Sequence, residues 1–497
     1  MNNNISKIEK AIDYVNKNKG NVNEVYKPKY HITAPIGWIN DPNGFTFYKG
    51  EYHLFYQYHP YSSEWGPMHW AHIKSKDAIN WEWLPIALAP EDEYDINGCF
   101  SGSAIEKDDK LYLMYTGNLD GKGKYEDARQ IQCIAESIDG ITFKKHVNNP
   151  VIGTKDLPKE SIIQDFRDPK VFEKDGVYYS VIASRNTDGA GQILLYKSDD
   201  LYNWSYVGVV SKSKHKLGDM WECPDLFELG GKDVLIMSPM KVEDCGNDFW
   251  NINSSTYMIG QLDYNTGEFN YNSLGEIDKG LDFYAPQTMI DDKGRRVMIG
   301  WMQTWGRNIP SNTENHGWAG MMTIPRVLEV INNKLYQKPI ETVKNYRKNE
   351  ISLNNVSVKD RQKLDGVNGN TIELLLEVDM TNSTMFGINF LKSKDEEVSI
   401  HYNKGLEELT FDRGLSKNRI KGEEKIYRSY RKTKVELINN KIKLNIFIDV
   451  SSVEIFINDG LETMSSTVYM KDFGQDVEFV SNGESILCNI SKWDISI

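Results

Sequence analysis

The chain has 497 residues, 40% of them hydrophobic, with 58 Lys and Arg against 71 Asp and Glu for a net charge of −13. That length allows two domains, and without a long basic tract the chain offers little for a nucleic acid or an anionic membrane to bind. Its five cysteines (Cys99, Cys133, Cys223, Cys245 and Cys488) are odd in number and lack CxxC spacing, which argues against a disulfide framework or a thiolate zinc site.

Ile5, Ile8, Ile12 and Val15 recur at helical steps and predict a short amphipathic helix within an N-terminal extension, residues 1–26. The segment is polar, with no signal-peptide core, and no run elsewhere approaches the roughly 18 apolar residues of a membrane span, so a cytoplasmic protein is expected. Residues 27–338 are dense in aromatic and β-branched residues and hold eleven of the twelve tryptophans. Within them a hairpin pattern recurs: a polar head, a β-rich run, a turn and a second β-rich run. Taking Asp41, Ser101, Asp168, Asp225 and Ala285 as equivalent heads gives five copies with a period of about 60 residues, which predicts a five-bladed β-propeller. His69 and His72 have a possible metal-ligand spacing, but no acid lies between them and the surroundings read as strand, so no metal is expected. Residues 339–350 read as a charged linker. Residues 351–497 carry short alternating strands that predict a β-sandwich, docked tightly because no low-complexity segment separates the domains.

Three of the repeat heads bring a carboxylate: Trp38-Ile39-Asn40-Asp41-Pro42-Asn43-Gly44, Arg167-Asp168-Pro169 and Trp221-Glu222-Cys223-Pro224-Asp225. In a propeller such heads face a common axis, so acids far apart in sequence can meet. Two carboxylates in different environments are the minimum equipment for cleaving a glycosidic bond. Asp41, among amide donors, and Asp168, beside Arg167, are expected to stay ionised; Glu222, flanked by Trp221 and Cys223-Pro224, is expected in a less polar setting that keeps it protonated. Trp38, Trp65, Phe100, Tyr284 and Trp301 are candidate sugar platforms, and Asn40, Gln57, Ser101 and Arg167 candidate hydroxyl partners. A noncatalytic sugar-binding or interaction scaffold is the rival reading of the same pattern.

At these motifs the chain resembles glycoside hydrolase family 32, the invertase and β-fructofuranosidase family. The resemblance rests on the Trp38–Gly44 segment, with Ile39 where Met is usual, and on Phe100-Ser101-Gly102-Ser103, Arg167-Asp168-Pro169 and Glu222-Cys223. Asp282-Phe283-Tyr284-Ala285-Pro286-Gln287 and Asp449-Val450-Ser451-Ser452-Val453-Glu454 extend it into the sandwich. It implies Asp41 as nucleophile, Asp168 as transition-state stabiliser and Glu222 as acid/base of a retaining hydrolase. It also implies a fructose subsite that includes Asn40, Gln57, Trp65, Ser101 and Arg167, and no cofactor. Within the family the intracellular enzymes acting on sucrose 6-phosphate look most similar, while fructan hydrolysis and fructosyl transfer share the same motifs. The oligomeric state is not legible.

Overall fold

The computed structural model describes residues 6–121, 127–213, 217–422 and 428–497, which form an all-β protein, a five-bladed propeller followed by a β-sandwich. The N-terminal helix (Lys7–Asn18) opens with a capping box in which the Ser6 hydroxyl accepts from the Glu9 N–H and the Glu9 carboxylate accepts from the Ser6 N–H. Ile8, Ile12 and Val15 pack against the propeller, and Ile5 lies outside the described residues. No helix among the described residues is long and apolar enough to cross a membrane.

Blades I to V start from the inner strands Gly37–Tyr48, Cys99–Lys107, Ser161–Lys174, Met220–Leu229 and Tyr284–Ile290, each followed outward by three antiparallel strands. Both faces of each blade are covered by its neighbours, which explains the apolar density of this half of the sequence. Phe55 and Trp70 meet Leu113 and Tyr115 between blades I and II; Val181 and Leu195 meet Leu235 and Met237 between blades III and IV. The ring closes where a late strand, Trp318–Ala319, pairs in parallel with Gly37 and Trp38.

Every inner strand carries one extra residue relative to its partner at the same level. The bulges fall between Ile39 and Pro42, Phe100 and Gly102, Arg167 and Lys170, Glu222 and Asp225, and Tyr284 and Gln287. A bulge bends the strand and re-aims its side chains. In blades III to V the residue after the last regular pair is left-handed, with φ of 63° at Asp168, 47° at Cys223 and 51° at Ala285. Such conformations cost on the order of 1–3 kcal/mol for non-glycine residues and persist only where the surroundings enforce them.

This register corrects the sequence reading of blades I and IV, and in blade I the counterpart of Asp168 is Asn40, one residue before Asp41. Cys223, not Asp225, is the counterpart of Asp168 and Ala285, while Glu222 occupies the level of Arg167 and Tyr284. Asp225 sits at the level of Lys170 and binds it at 3.0 Å while accepting from the Thr288 N–H at 2.7 Å, so it ties three blades together.

A 3-10 turn, Glu341–Tyr346, leads into the sandwich. Its long strands Thr371–Lys392 and Asp476–Ile495 bend at register shifts and serve both layers. Residues 371–379 pair with Lys441–Asp449, while residues 385–390 pair with Val398–Asn403. Leu374, Phe386, Ile446 and Phe479 belong to the core enclosed between the two layers.

The seam to the propeller is polar and closed. Arg326 is 0% exposed and reaches Glu454 Oε2 at 2.5 Å and Asp278 Oδ2 at 2.9 Å. His31 lies between Asp449 Oδ2 at 2.8 Å and Glu454 Oε1 at 3.0 Å. Asp449 also accepts from the backbone N–H groups of Lys29, Tyr30 and His31.

Candidate active site

The bulged heads gather at one end of the propeller axis, where Asp41, Asp168 and Glu222 line a single cavity of about 260 Å³. Asn40, Gln57, Trp65, Phe100, Ser101 and Arg167 form most of the remaining wall, so nine of the twelve site residues expected from the sequence converge here. Gln130 and Trp305 complete it.

Asp41, 8% exposed, accepts from the Ser101 hydroxyl at 2.7 Å. Asp168, 6% exposed, accepts from the Cys223 N–H at 3.0 Å, and its own N–H donates to Thr116 Oγ1 at 2.9 Å. The Cys223 thiol stands between them, 3.5 Å from Asp41 Oδ2 and 3.6 Å from Asp168 Oδ2. Its single proton can serve only one carboxylate at a time.

Glu222 is held from both sides. Arg167 donates to Oε1 through Nη2 at 2.7 Å and Nε at 3.1 Å, and the Tyr284 hydroxyl donates to Oε2 at 2.6 Å. The expected apolar setting is therefore absent. In a strand, sequence neighbours point to opposite faces, and Trp221 turns away into the core between blades III and IV, where its indole donates to Leu217 O.

Asp41 and Asp168 are expected from their sequence neighbours to stay ionised, but their burial works against ionisation. Burial, reinforced by the Glu222 charge, raises Asp41 above the usual carboxylate range, although Ser101, Asn40 and Cys223 pull it back. Burial also raises Asp168, to about 7, where Arg167 opposes the shift and Glu222 and Asp41 add to it. The Arg167 charge is the main influence opposing burial at Asp168, yet it approaches that carboxyl only to 3.9 Å while it holds Glu222 at 2.7 Å. Asp41 and Asp168, crowded with a third carboxyl about one guanidinium, are harder to ionise than isolated carboxyls.

Three expected sugar contacts, Trp38, Tyr284 and Trp301, do not line the cavity. Tyr284 and Trp301 are both 0% exposed and face each other across the first strand pair of blade V. Tyr284 spends its hydroxyl on Glu222. Trp301 instead backs Trp305, ring centroids 5.0 Å apart, and Trp305 in turn stacks on Trp38 at 6.2 Å. Trp305 lies in a loop beyond the strand, where no alternation marks which tryptophan is exposed. Gln130, at the start of a third strand, accepts from Arg167 Nη1 at 3.2 Å and could have been found only from the blade register. Trp38 donates from its indole to Asn40 Oδ1 at 2.8 Å and so orients that amide. Trp65 is half exposed at the rim, edge-on to Phe100 at 5.9 Å. His72 pairs with His53 at 2.9 Å rather than with His69, and among the described residues no group of three or more His, Cys, Asp or Glu could hold a metal ion.

A cluster of carboxylates in distinct settings, facing one pocket at the end of a propeller axis, defines the class: a glycoside hydrolase. Family models for the N-terminal and C-terminal domains of glycosyl hydrolases family 32 match residues 31–339 and 341–494, and the chain belongs to that family. It is similar to sucrose-6-phosphate hydrolase of Escherichia coli, 35% identical with 98% of each chain covered. It is also similar to sucrose-6-phosphate hydrolase of Bacillus subtilis, 36% identical over 95% of this chain and 94% of that protein. Among solved structures, a Bombyx mori GH32 β-fructofuranosidase in complex with sucrose superposes with a TM-score of 0.86 at 32% identity, covering 99% of both chains. Sucrose-6-phosphate hydrolase from Lactobacillus gasseri gives a TM-score of 0.88 at 29% identity, covering 98% of this chain and 96% of that one.

Proposed function

We propose that the chain hydrolyses the β-fructofuranosidic bond of sucrose or sucrose 6-phosphate in the cytoplasm and releases fructose with retention. The observation that carries this reading is the convergence of Asp41, Asp168 and Glu222 on one cavity. Asp41 attacks the anomeric C2 of fructose while Glu222 protonates the leaving oxygen, giving a fructosyl ester on Asp41. Glu222 then takes a proton from water, whose oxygen attacks C2 and frees Asp41. Retention calls for the Asp41 and Glu222 carboxyl groups to lie about 5–5.5 Å apart when substrate is bound, against about 6.5–9.5 Å for inversion.

Asp168 accepts fructose hydroxyls. Hydrogen bonds donated by those hydroxyls offset the effect of burial on Asp168, so substrate binding favours its ionised form. Asn40, Gln57, Ser101, Arg167 and Gln130 frame the fructose, and Trp65, Phe100 and Trp305 present apolar rings to sugar C–H surfaces. Arg167 is the one cation among the lining residues, and its donors serve Glu222, Gln130 and Asp165, so a phosphate on the glucose half takes its contacts from the mouth of the cavity rather than its floor.

The test compares kcat/KM for sucrose, sucrose 6-phosphate and inulin. One charge-assisted hydrogen bond to phosphate is worth about 1.5–3 kcal/mol, so the phosphorylated sugar is expected to lead by roughly tenfold or more. Parity would assign a general β-fructofuranosidase; preference for inulin would assign a fructanase. No release of fructose from any of the three would overturn the reading.

A further inference from the structure

Arg167 places two nitrogens on one oxygen of Glu222, Nη2 at 2.7 Å and Nε at 3.1 Å. That guanidinium lies against the group that the first step proposed above uses as the acid. Whatever else draws on that guanidinium bears on the reaction. Its remaining nitrogen, Nη1, donates to Asp165 Oδ1 at 3.1 Å and to Gln130 Oε1 at 3.2 Å. The other oxygen of Asp165 is taken by Arg185 Nη2 at 2.6 Å.

These groups form a line of alternating charge, Arg185, Asp165, Arg167 and Glu222. Asp165 and Arg167 belong to the inner strand of blade III, and Arg185 to its second strand, Val177–Asn186. Side-chain exposure falls along the line from 38% at Arg185 and 20% at Asp165 to 12% at Arg167 and 15% at Glu222. The outer pair therefore sits toward solvent and the inner pair toward the cavity. Neither Asp165 nor Arg185 is part of the cavity wall.

Building on the hydrolase reading, we propose that Asp165 is a positioning residue that draws the Arg167 charge away from Glu222 and so sets the upper pH at which Glu222 delivers its proton, with Arg185 tempering Asp165. Asp165 touches neither sugar nor reacting atoms and acts only through Arg167. The other groups facing Glu222 are the Tyr284 hydroxyl from blade V, the Asp41 and Asp168 carboxyls, and the Cys223 thiol. The charged groups facing Asp165 are Arg167 and Arg185.

The two ends of the line give opposite expectations. Asp165→Asn keeps the size and the acceptor while removing the charge. It should move the alkaline limb of the kcat/KM profile down by about 0.5–1 pH unit, the size expected for one charge acting over several ångströms at a high effective dielectric. Arg185→Gln should move the same limb up by a smaller amount. A purely structural role would lower the rate without moving the limb. Coincidence of both limbs with that of the parent enzyme, or movement of both in one direction, would overturn the proposal. Titration of the Glu222 carboxyl by ¹³C NMR, assigned by loss of its signal in Glu222→Gln, should give the same order: Asp165→Asn, then parent, then Arg185→Gln. That titration reads the proposal independently of turnover, so an inactive parent would end the hydrolase reading while the carboxyl order still decides the role of Asp165.

Discussion

At the propeller axis, Asp41, Asp168 and Glu222 share the one guanidinium of Arg167. At the seam between propeller and sandwich, Glu454, Asp282 and Glu276 are met by Arg326, Arg413 and Arg431, with His31 against Glu454. Asp41, Asp168 and the three seam carboxyls are all buried, and burial raises every one of them. At the seam the cations outweigh burial, so Glu454, Asp282 and Glu276 all lie below their usual range. At the axis they do not, and Asp41 and Asp168 lie above it. The number of partners, rather than depth, decides the sign. The seam uses charge to fix one docking geometry, and the axis leaves carboxyls under-neutralised where a substrate can complete them.

The largest effect that separates the regions is on turnover. Glu222→Ala should lose roughly 10²- to 10⁴-fold in kcat/KM on sucrose, the usual share of general acid catalysis, with a midpoint of urea unfolding close to that of the parent. A substrate whose leaving group needs little protonation should recover much of the rate in Glu222→Ala and none in Asp41→Ala. Equal losses on good and poor leaving groups would remove the acid assignment.

Arg326→Met at the seam should do the reverse, leaving turnover per folded molecule intact and costing about 3–5 kcal/mol, because Glu454 and Asp278 would stay buried without their partner. Denaturant unfolding checks this, and a loss below about 1 kcal/mol would mean that the seam is softer than the comparison requires.

His31 sharpens the seam through its pH dependence. Burial alone would lower it, but the hydrogen bonds that its ring N–H groups donate to Asp449 and Glu454 prevail and hold it up at about 9. A histidine raised above its ordinary value of 6.5 contributes stability that is complete below about pH 6.5 and is lost as pH climbs through about 9. Each charge-assisted bond is worth about 1.5–3 kcal/mol, so His31→Gln should be clearly less stable than the parent at pH 6 and nearly equal to it at pH 9.5. A difference that does not change with pH would show His31 to be neutral.

The smallest effect runs the other way. Asp168 is raised to about 7, so its ionised form destabilises the fold above that pH, and the penalty disappears below about pH 4. Asp168→Asn should therefore raise stability at pH 8 by about 1–3 kcal/mol, with no gain at pH 4. A loss of stability at pH 8 would contradict the under-neutralised site.

The repeat of turn-bounded strands made the propeller legible, because five similar units spaced evenly along the chain leave few other architectures. The three acids were legible as heads of those units, but the register was not. Asp225 looked like the head of blade IV because an extra residue inserted at a bulge leaves no mark in composition; hydrogen-bond pairing shows Cys223 there instead. The surroundings expected for the acids differ from those observed for a related reason. Those expectations assigned each acid the influence of its sequence neighbours, whereas strand geometry sends Trp221 into the core and carries Arg167 across to Glu222 on the next blade. Aromatic choice was ambiguous wherever several tryptophans cluster: Trp301 and Trp305 differ by four residues and only the second faces the cavity. The seam motif Asp449–Glu454 was visible as a string of letters, but its partners Lys29, Tyr30 and His31 lie more than four hundred residues upstream.

That separation bears on how the protein is made. The strand that carries Asp41 is finished on one edge by Trp318–Ala319, and the segment just before it is gripped by Asp449 and Glu454. A ribosome therefore releases almost the whole chain before the first blade can acquire its final neighbours. Folding from the N-terminus onward must wait with an open edge on the strand that carries Asp41, and contacts of such long sequence separation form slowly. Truncation anywhere before Glu454 removes a fastening of the first blade, so shortened products of this gene would be inactive even when all three acids are present. Conversely, two fragments divided at an exposed turn between blades should regain activity only when they assemble together.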